Sequence, residues 1–169
     1  GNCGKSANFR PAVAVHQTSW NVRQNCVTKV RRLCKGKVTM QNISAITVVV
    51  PDYDEAIRFY VEKLGFDLKE DTPLSESKRW VVVMPPGAHE TGLLLAKADG
   101  SEQLRAIGNQ TGGRVFLFLE TSDFDGDCKR YRAAGVEFLE QPRSEAYGKV
   151  VVFRDPFGNK WDLIAPLAK

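Results

Sequence analysis

The stretch "VVVPDYDEAIRFYVEKLGFDLKE", residues 48–70, returns in outline as "FLETSDFDGDCKRYRAAGVEFLEQ", residues 118–141. Each copy runs from an apolar strand through an Asp-aromatic-Asp start into a helix, a glycine stop and a short strand. Asp52 and Asp123 lie 71 residues apart, and Gly65 and Gly135 lie 70 apart. The echo continues beyond the helices. "KRWVVVMPPG" (78–87) corresponds to "GKVVVFRDPFG" (148–158), and "GLLLA" to "WDLIA". A self-similarity of this length marks a duplicated supersecondary unit.

Local chemistry supports each unit. Asp52 or Asp54, and Asp123 or Asp125, can accept hydrogen bonds from the free N–H groups at a helix start. Ile57, Tyr60, Val61 and Leu64 form an apolar stripe on the first helix, and Cys128 and Tyr131 a shorter one on the second. Gly65 and Gly135 stand where each helix must stop in a left-handed residue. The pattern predicts β-α-β-β-β twice: 42–50, 54–63, 66–71, 79–84 and 91–97, then 114–120, 124–134, 136–139, 148–154 and 160–164. Residues 98–113 read as a polar, glycine-rich link. The fold class is α+β, with modules at about 41–98 and 113–166 of a domain spanning 41–169.

The N-terminal 40 residues differ in character. They hold eight Lys and Arg and no acid, leaving 16 basic and 20 acidic groups in the body. The net charge of +4 is therefore a property of the extension, and the body offers no basic surface for nucleic acid. Trp20 to Lys35 has the period of an amphipathic helix, with Ser19 as N-cap and Gly36 as stop. Three readings of it stay open: a helix docked on the body or on a dimer partner, an appended segment without function, or an arm for nucleic acid or membrane.

Composition is that of a soluble globular protein, 43% hydrophobic and 26% charged, and no apolar run is long enough to span a bilayer. Cys3, Cys26, Cys34 and Cys128 lack a CxxC pairing, which argues for reduced thiols in a cytoplasmic protein, with an N-terminal disulfide as the lesser possibility. His16 lies in the extension, and His89 in the turn "PPGAHETG" as a solvated residue.

Two βαβββ copies carrying "VVVPDYDEAIRFYVEKLGF", "GGRVFLFLE" and "DPFGNKWDLI" resemble the vicinal oxygen chelate superfamily over nearly all of 41–166. That superfamily includes glyoxalases, extradiol dioxygenases, fosfomycin-resistance enzymes and bleomycin-binding proteins. The resemblance implies an open, cleft-bearing barrel of two modules, an N-terminal helical extension outside it, and frequent pairing as homodimers.

The resemblance also implies where a metal would sit. The four ligand positions fall on Ala45, within Thr91–Ala96, on Arg114 and on Asp162. Only Asp162 is a ligand type, and Arg114 would set a permanent cation at the ion's place. The expectation is a site without metal or other cofactor, with Arg114 and Asp162 paired across the pocket floor. The guanidinium fork would then also be able to grip a ligand carboxylate or phosphate.

Strand parity extends the lining. With Arg114 facing the cavity, Phe116, Phe118 and Glu120 follow, while Val115, Leu117 and Leu119 face the helices. Thr47 shares a face with Ala45 and Val49, and Trp80 and Arg154 close the edge. Such a lining suits an aromatic or amphipathic small molecule. The alternative is a glyoxalase-like lyase or isomerase using a pocket carboxylate as general base. Arg114 would hold the carboxyl of Asp162 low, leaving Glu120 as the better base. The partners expected are a small-molecule ligand and a second copy of the chain, without nucleic acid or membrane.

Overall fold

The computed structural model describes residues 40–167. The expected helix Trp20–Lys35, with Ser19, Gly36, His16 and the three N-terminal cysteines, lies outside the described residues.

The first module contains β1 (Ala45–Val50), α1 (Tyr53–Ile57), β2 (Asp67–Pro73), β3 (Arg79–Met84) and β4 (Gly92–Lys97). The chain starts its first helix at Asp52, whose carboxylate accepts from the N–H groups of Asp54 and Glu55 at 3.0 and 3.2 Å. Past Ile57 the helix widens into a π-helical stretch, Arg58–Lys63, with Leu64 N–H donating to the Phe59 carbonyl at 3.1 Å. That wider turn brings Phe59 and Leu64, five apart, inside together with Tyr60.

The second module contains β5 (Val115–Glu120), α3 (Phe124–Ala133), β6 (Glu137–Phe138), β7 (Arg143–Glu145), β8 (Gly148–Arg154) and β9 (Lys160–Pro166). Between the modules the expected unstructured link carries a short helix, α2 (Ser101–Ala106). Its N-cap position is a glycine, and its fold rests partly on Gln103, which accepts from the Asp99 N–H at 2.8 Å.

The strands form two sheets, β1-β4-β3-β2 and β5-β9-β8-β6, with β7 beside β8. In each the first strand pairs in parallel with the last and the rest run antiparallel, so the duplication read in sequence is a duplication of topology. The sheets share no strand pairing, and no closed barrel forms among the described residues.

One face of each sheet is covered by helix, and these faces feed a common core. Val48, Val50, Val81, Val83 and Leu95 of the first sheet and Val151, Phe153, Trp161 and Leu163 of the second are buried with Phe59, Tyr60, Leu64, Phe124 and Tyr131. Each fully buried Val or Leu contributes on the order of 1.5–3 kcal/mol through lost apolar exposure. Phe153 stacks on Trp161 with ring centroids 5.8 Å apart, and Tyr60 lies 5.9 Å from the same indole. The first module's helix therefore reaches the second module's sheet. Arg130 of α3 returns the contact, donating to the Leu64 carbonyl at 2.9 Å.

Candidate functional site

The turn "RDPFGN" sets the last strand. Asp155 accepts from the N–H groups of Phe157, Gly158 and Asn159 through one carboxylate oxygen, at 3.0, 2.9 and 2.9 Å. Gly158 takes φ +113°, a conformation that side chains oppose. From there β9 alternates. Trp161 and Leu163 enter the core, while Lys160, Asp162 and Ile164 take the face without helices.

On that face Asp162 stands opposite Phe118 of β5 on one side and Val152 of β8 on the other. Ile164 stands between Glu120 and Val150, and Val150 in turn opposite Arg143. Lys160 neighbours Arg154, which pairs with Glu137. The result is a central carboxylate in an apolar patch, rimmed by charges.

Asp162 is only 8% exposed, and its Oδ1 has no hydrogen-bond partner. Burial pushes its carboxyl above the ordinary value, and the charge of Arg143 offsets part of that rise. Arg143 itself is held by Glu145 at 2.9 Å and by Glu140. Phe118 is 66% exposed, and Glu120 is exposed with no hydrogen bond or ion pair described for its side chain.

The structure corrects two expectations here. Arg114 precedes β5, is exposed, and forms no ion pair with Asp162 among the described residues. The cation whose field reaches Asp162 is Arg143. Phe116 also leaves the expected face: it packs edge-on against Trp161 at 6.3 Å and joins the core rim. Both errors share a cause. The register of β5 shifts between Val115 and Leu117, a bulge that breaks strict alternation. Phe118 and Glu120, beyond the bulge, keep the predicted face.

The helix-free face of the first sheet is more apolar. Thr47 and Val49 pair with Leu94 and Ala96, and Val82 pairs with Leu94 from the other side. Trp80, 40% exposed, borders a hollow of about 240 Å³ with Leu74, Leu94, Ala96, Lys78 and Lys97. The free edge of β1 is occupied by Gln110, whose side-chain amide accepts from Val49 N–H at 2.6 Å and donates to the Thr47 carbonyl at 3.1 Å. Among the described residues no hydrogen bond, ion pair or ring contact joins one helix-free face to the other.

Residues 42–163 match the family model described as the Glyoxalase/Bleomycin resistance protein/Dioxygenase superfamily. The chain belongs to that superfamily. An uncharacterized protein of Shewanella frigidimarina is 56% identical over 125 residues, covering 73% of this chain and 93% of that protein. Among solved structures, UcmS2 is 30% identical with a TM-score of 0.66, covering 75% of this chain and 98% of its own. TnmS3, an antibiotic binding protein from Streptomyces sp. CB03234, is 33% identical with a TM-score of 0.62, covering 77% and 99%.

Members of this superfamily often hold a divalent metal, and the residues here do not fit one. The positions that would ligate it are Ala45, strand Gly92–Lys97, Arg114 and Asp162, which bring one carboxylate and no imidazole. Among the described residues no three His, Cys, Asp or Glu side chains gather as a cation site needs.

Arg143 and Gln110 are the site-bordering residues that the sequence did not single out. Arg143 sits in a three-residue strand, "RSE", with no apolar alternation to announce it. Gln110 lies in the link, where a polar side chain carries no sign of the strand edge it will meet. No helix among the described residues is long and apolar enough to cross a membrane.

Proposed function

We propose that this protein binds an aromatic or amphipathic small molecule without a metal or cofactor, in a cleft made between two copies of the chain. The helix-free face of the first sheet in one copy would face the helix-free face of the second sheet in the other. The observation that carries the reading is the pair of exposed aromatic faces in a single chain, with Phe118 66% and Trp80 40% exposed. Contiguous exposed apolar surface of this kind is normally covered by a partner or a ligand. Charge favours a second copy as the cover: Lys78 and Lys97 border the first face, and Glu120 and Asp162 lie on the second. Similarity to an antibiotic binding protein supports binding as the activity. The proposed compartment is the cytoplasm, in keeping with Cys128 as a buried free thiol.

A second reading has one observation in its favour. A buried carboxyl with a raised pKa is what a general base or acid requires, and Asp162 has it. The enzyme reading, a glyoxalase-like lyase or isomerase, therefore moves from Glu120 to Asp162 as the candidate base.

The test is sedimentation together with elemental analysis and a thermal-shift screen of aromatic compounds, with and without chelator. A dimer without stoichiometric metal, stabilised by a compound recovered unchanged, supports the binding reading. Stoichiometric metal, or a monomer that still binds ligand, would refute it. Turnover lost in Asp162→Asn would favour the enzyme.

A further inference from the structure

The charges around Asp162 are unequally satisfied. Every cation on the helix-free face of the second sheet is engaged. Arg154 donates to Glu137 at 2.9 Å, Arg143 to Glu145 at 2.9 Å, and Lys160 to the Gly113 carbonyl at 3.0 Å. The two carboxylates between them are not engaged. Asp162 keeps an acceptor oxygen without a donor although it is 8% exposed, and Glu120 has no described partner. A buried acceptor left unpaired forfeits the full cost of its desolvation. That cost is recovered only when a donor arrives from outside the chain.

Phe118 stands directly opposite Asp162 in the β5–β9 register and offers most of its ring to solvent. Val152 and Ile164 continue the apolar surface around it. The neighbouring groups therefore present one aromatic platform beside hydrogen-bond acceptors, with no free donor among the described residues of this face.

We infer that the ligand of this face is a planar aromatic molecule carrying a hydrogen-bond donor, an amino group, ring N–H or phenolic O–H, which donates to Asp162 Oδ1 while the ring lies on Phe118. A second donor on the same molecule would reach Glu120. The inference rests on the binding reading above and reverses the ligand polarity that an Arg114 fork would impose: anionic aromatics are disfavoured, since no unengaged cation awaits them beside Asp162. The carboxylate makes the bond charge-assisted, which strengthens it over a neutral pair.

Three probes of one ring system test it: 9-aminoacridine, acridine and acridine-9-carboxylate, titrated against the full chain by fluorescence. The expected order has 9-aminoacridine bound about tenfold more tightly than the carboxylate. Asp162→Asn should remove most of that ratio, Glu120→Gln a smaller part, and Phe118→Ala should weaken all three probes alike. Asp162→Asn is isosteric and relieves a buried charge, so a thermal melt should show it folded; Glu120→Gln changes an exposed position and stands as the second variant. Equal binding of the amino and carboxylate probes, or a ratio unchanged in both variants, would overturn the inference and leave the binding reading intact. Failure of all three probes to bind the folded protein would overturn both.

Discussion

The hydroxyl of Tyr60, on the first module's helix, donates to Asp155 Oδ2 in the second module's turn at 2.9 Å. Tyr60 is completely buried and Asp155 is 2% exposed. The same oxygen accepts from Asn159 Nδ2 at 2.8 Å and Trp161 Nε1 at 3.3 Å. One carboxylate thus closes the turn, fixes the indole at the start of β9, and ties the two modules together. Burial, and then the charge of Asp155, push the Tyr60 phenol well above its ordinary range, so it stays a donor at any pH the fold survives. Tyr60→Phe removes one donor of several and should cost about 1–2 kcal/mol. Asp155→Ala orphans every one of those donors and should cost well beyond that. Urea denaturation checks both; a Tyr60→Phe variant as stable as the wild type would show that the bond contributes nothing.

Gly108 approaches the same turn from the link. A Cβ there would lie 2.0 Å from the Phe157 carbonyl oxygen, and its φ is +71°. Gly87 has a similar φ, +76°, but nothing within 4 Å. Alanine at Gly87 should therefore cost only the left-handed penalty, about 1–2 kcal/mol. Alanine at Gly108 should cost clearly more, since backbone must move as well. Thermal melts of the two variants side by side measure the difference, and equal losses would mean that the link does not press on the turn.

The fold was legible because duplication repeats every signal: the Asp caps, the glycine stops and the strand spacing each occur twice at the same offset. The orientation of Asp162 was legible from alternation alone, because the turn before it fixes the first residue of the strand. Parity failed on β5 for a backbone reason. A bulge adds one residue to one strand, and the side chains around it, "RVFLFL", carry no mark of where it falls. Residues after the bulge, Phe118 and Glu120, kept the predicted face; Arg114 and Phe116 did not. The electrostatic consequence was a reversal. With Arg114 as its partner the carboxyl of Asp162 would be lowered; without it, burial raises it.

Gln110 offers a local test of how the link guards β1. Its amide imitates a neighbouring strand by accepting from Val49 N–H and donating to the Thr47 carbonyl. An unpaired edge is open to other chains. Gln110→Ala should cost about 1 kcal/mol per bond lost and, more specifically, raise hydrogen exchange at the Val49 amide while the Val48 and Val50 side chains stay buried. An unchanged Val49 rate would show that the bond does not persist in solution.

Asp162 gives a pH signature. Its carboxyl titrates above the 3.8 of an exposed aspartate because burial penalises the charge. The folded state therefore holds this proton more tightly than the unfolded state does. As pH rises from near 3.8, through the folded value, stability is lost at this position, and above it the loss is constant. Asp52 and Asp71 act in the opposite direction: backbone hydrogen bonds at Asp52, and the side-chain bond from Arg79 at Asp71, lower both carboxyls. Their contributions are present at neutral pH and vanish on acidification, but they are common to wild type and variant and cancel in the difference. Asp162→Asn cannot ionise. Its stability relative to wild type should be near zero or slightly negative at the acid end and turn in its favour as pH rises toward about 7. Urea unfolding of both proteins across that range reads the crossing directly. A variant that becomes less stable relative to wild type with rising pH would mean that a cation pairs with Asp162 in solution, and would return the face to the anion-gripping chemistry first read from Arg114.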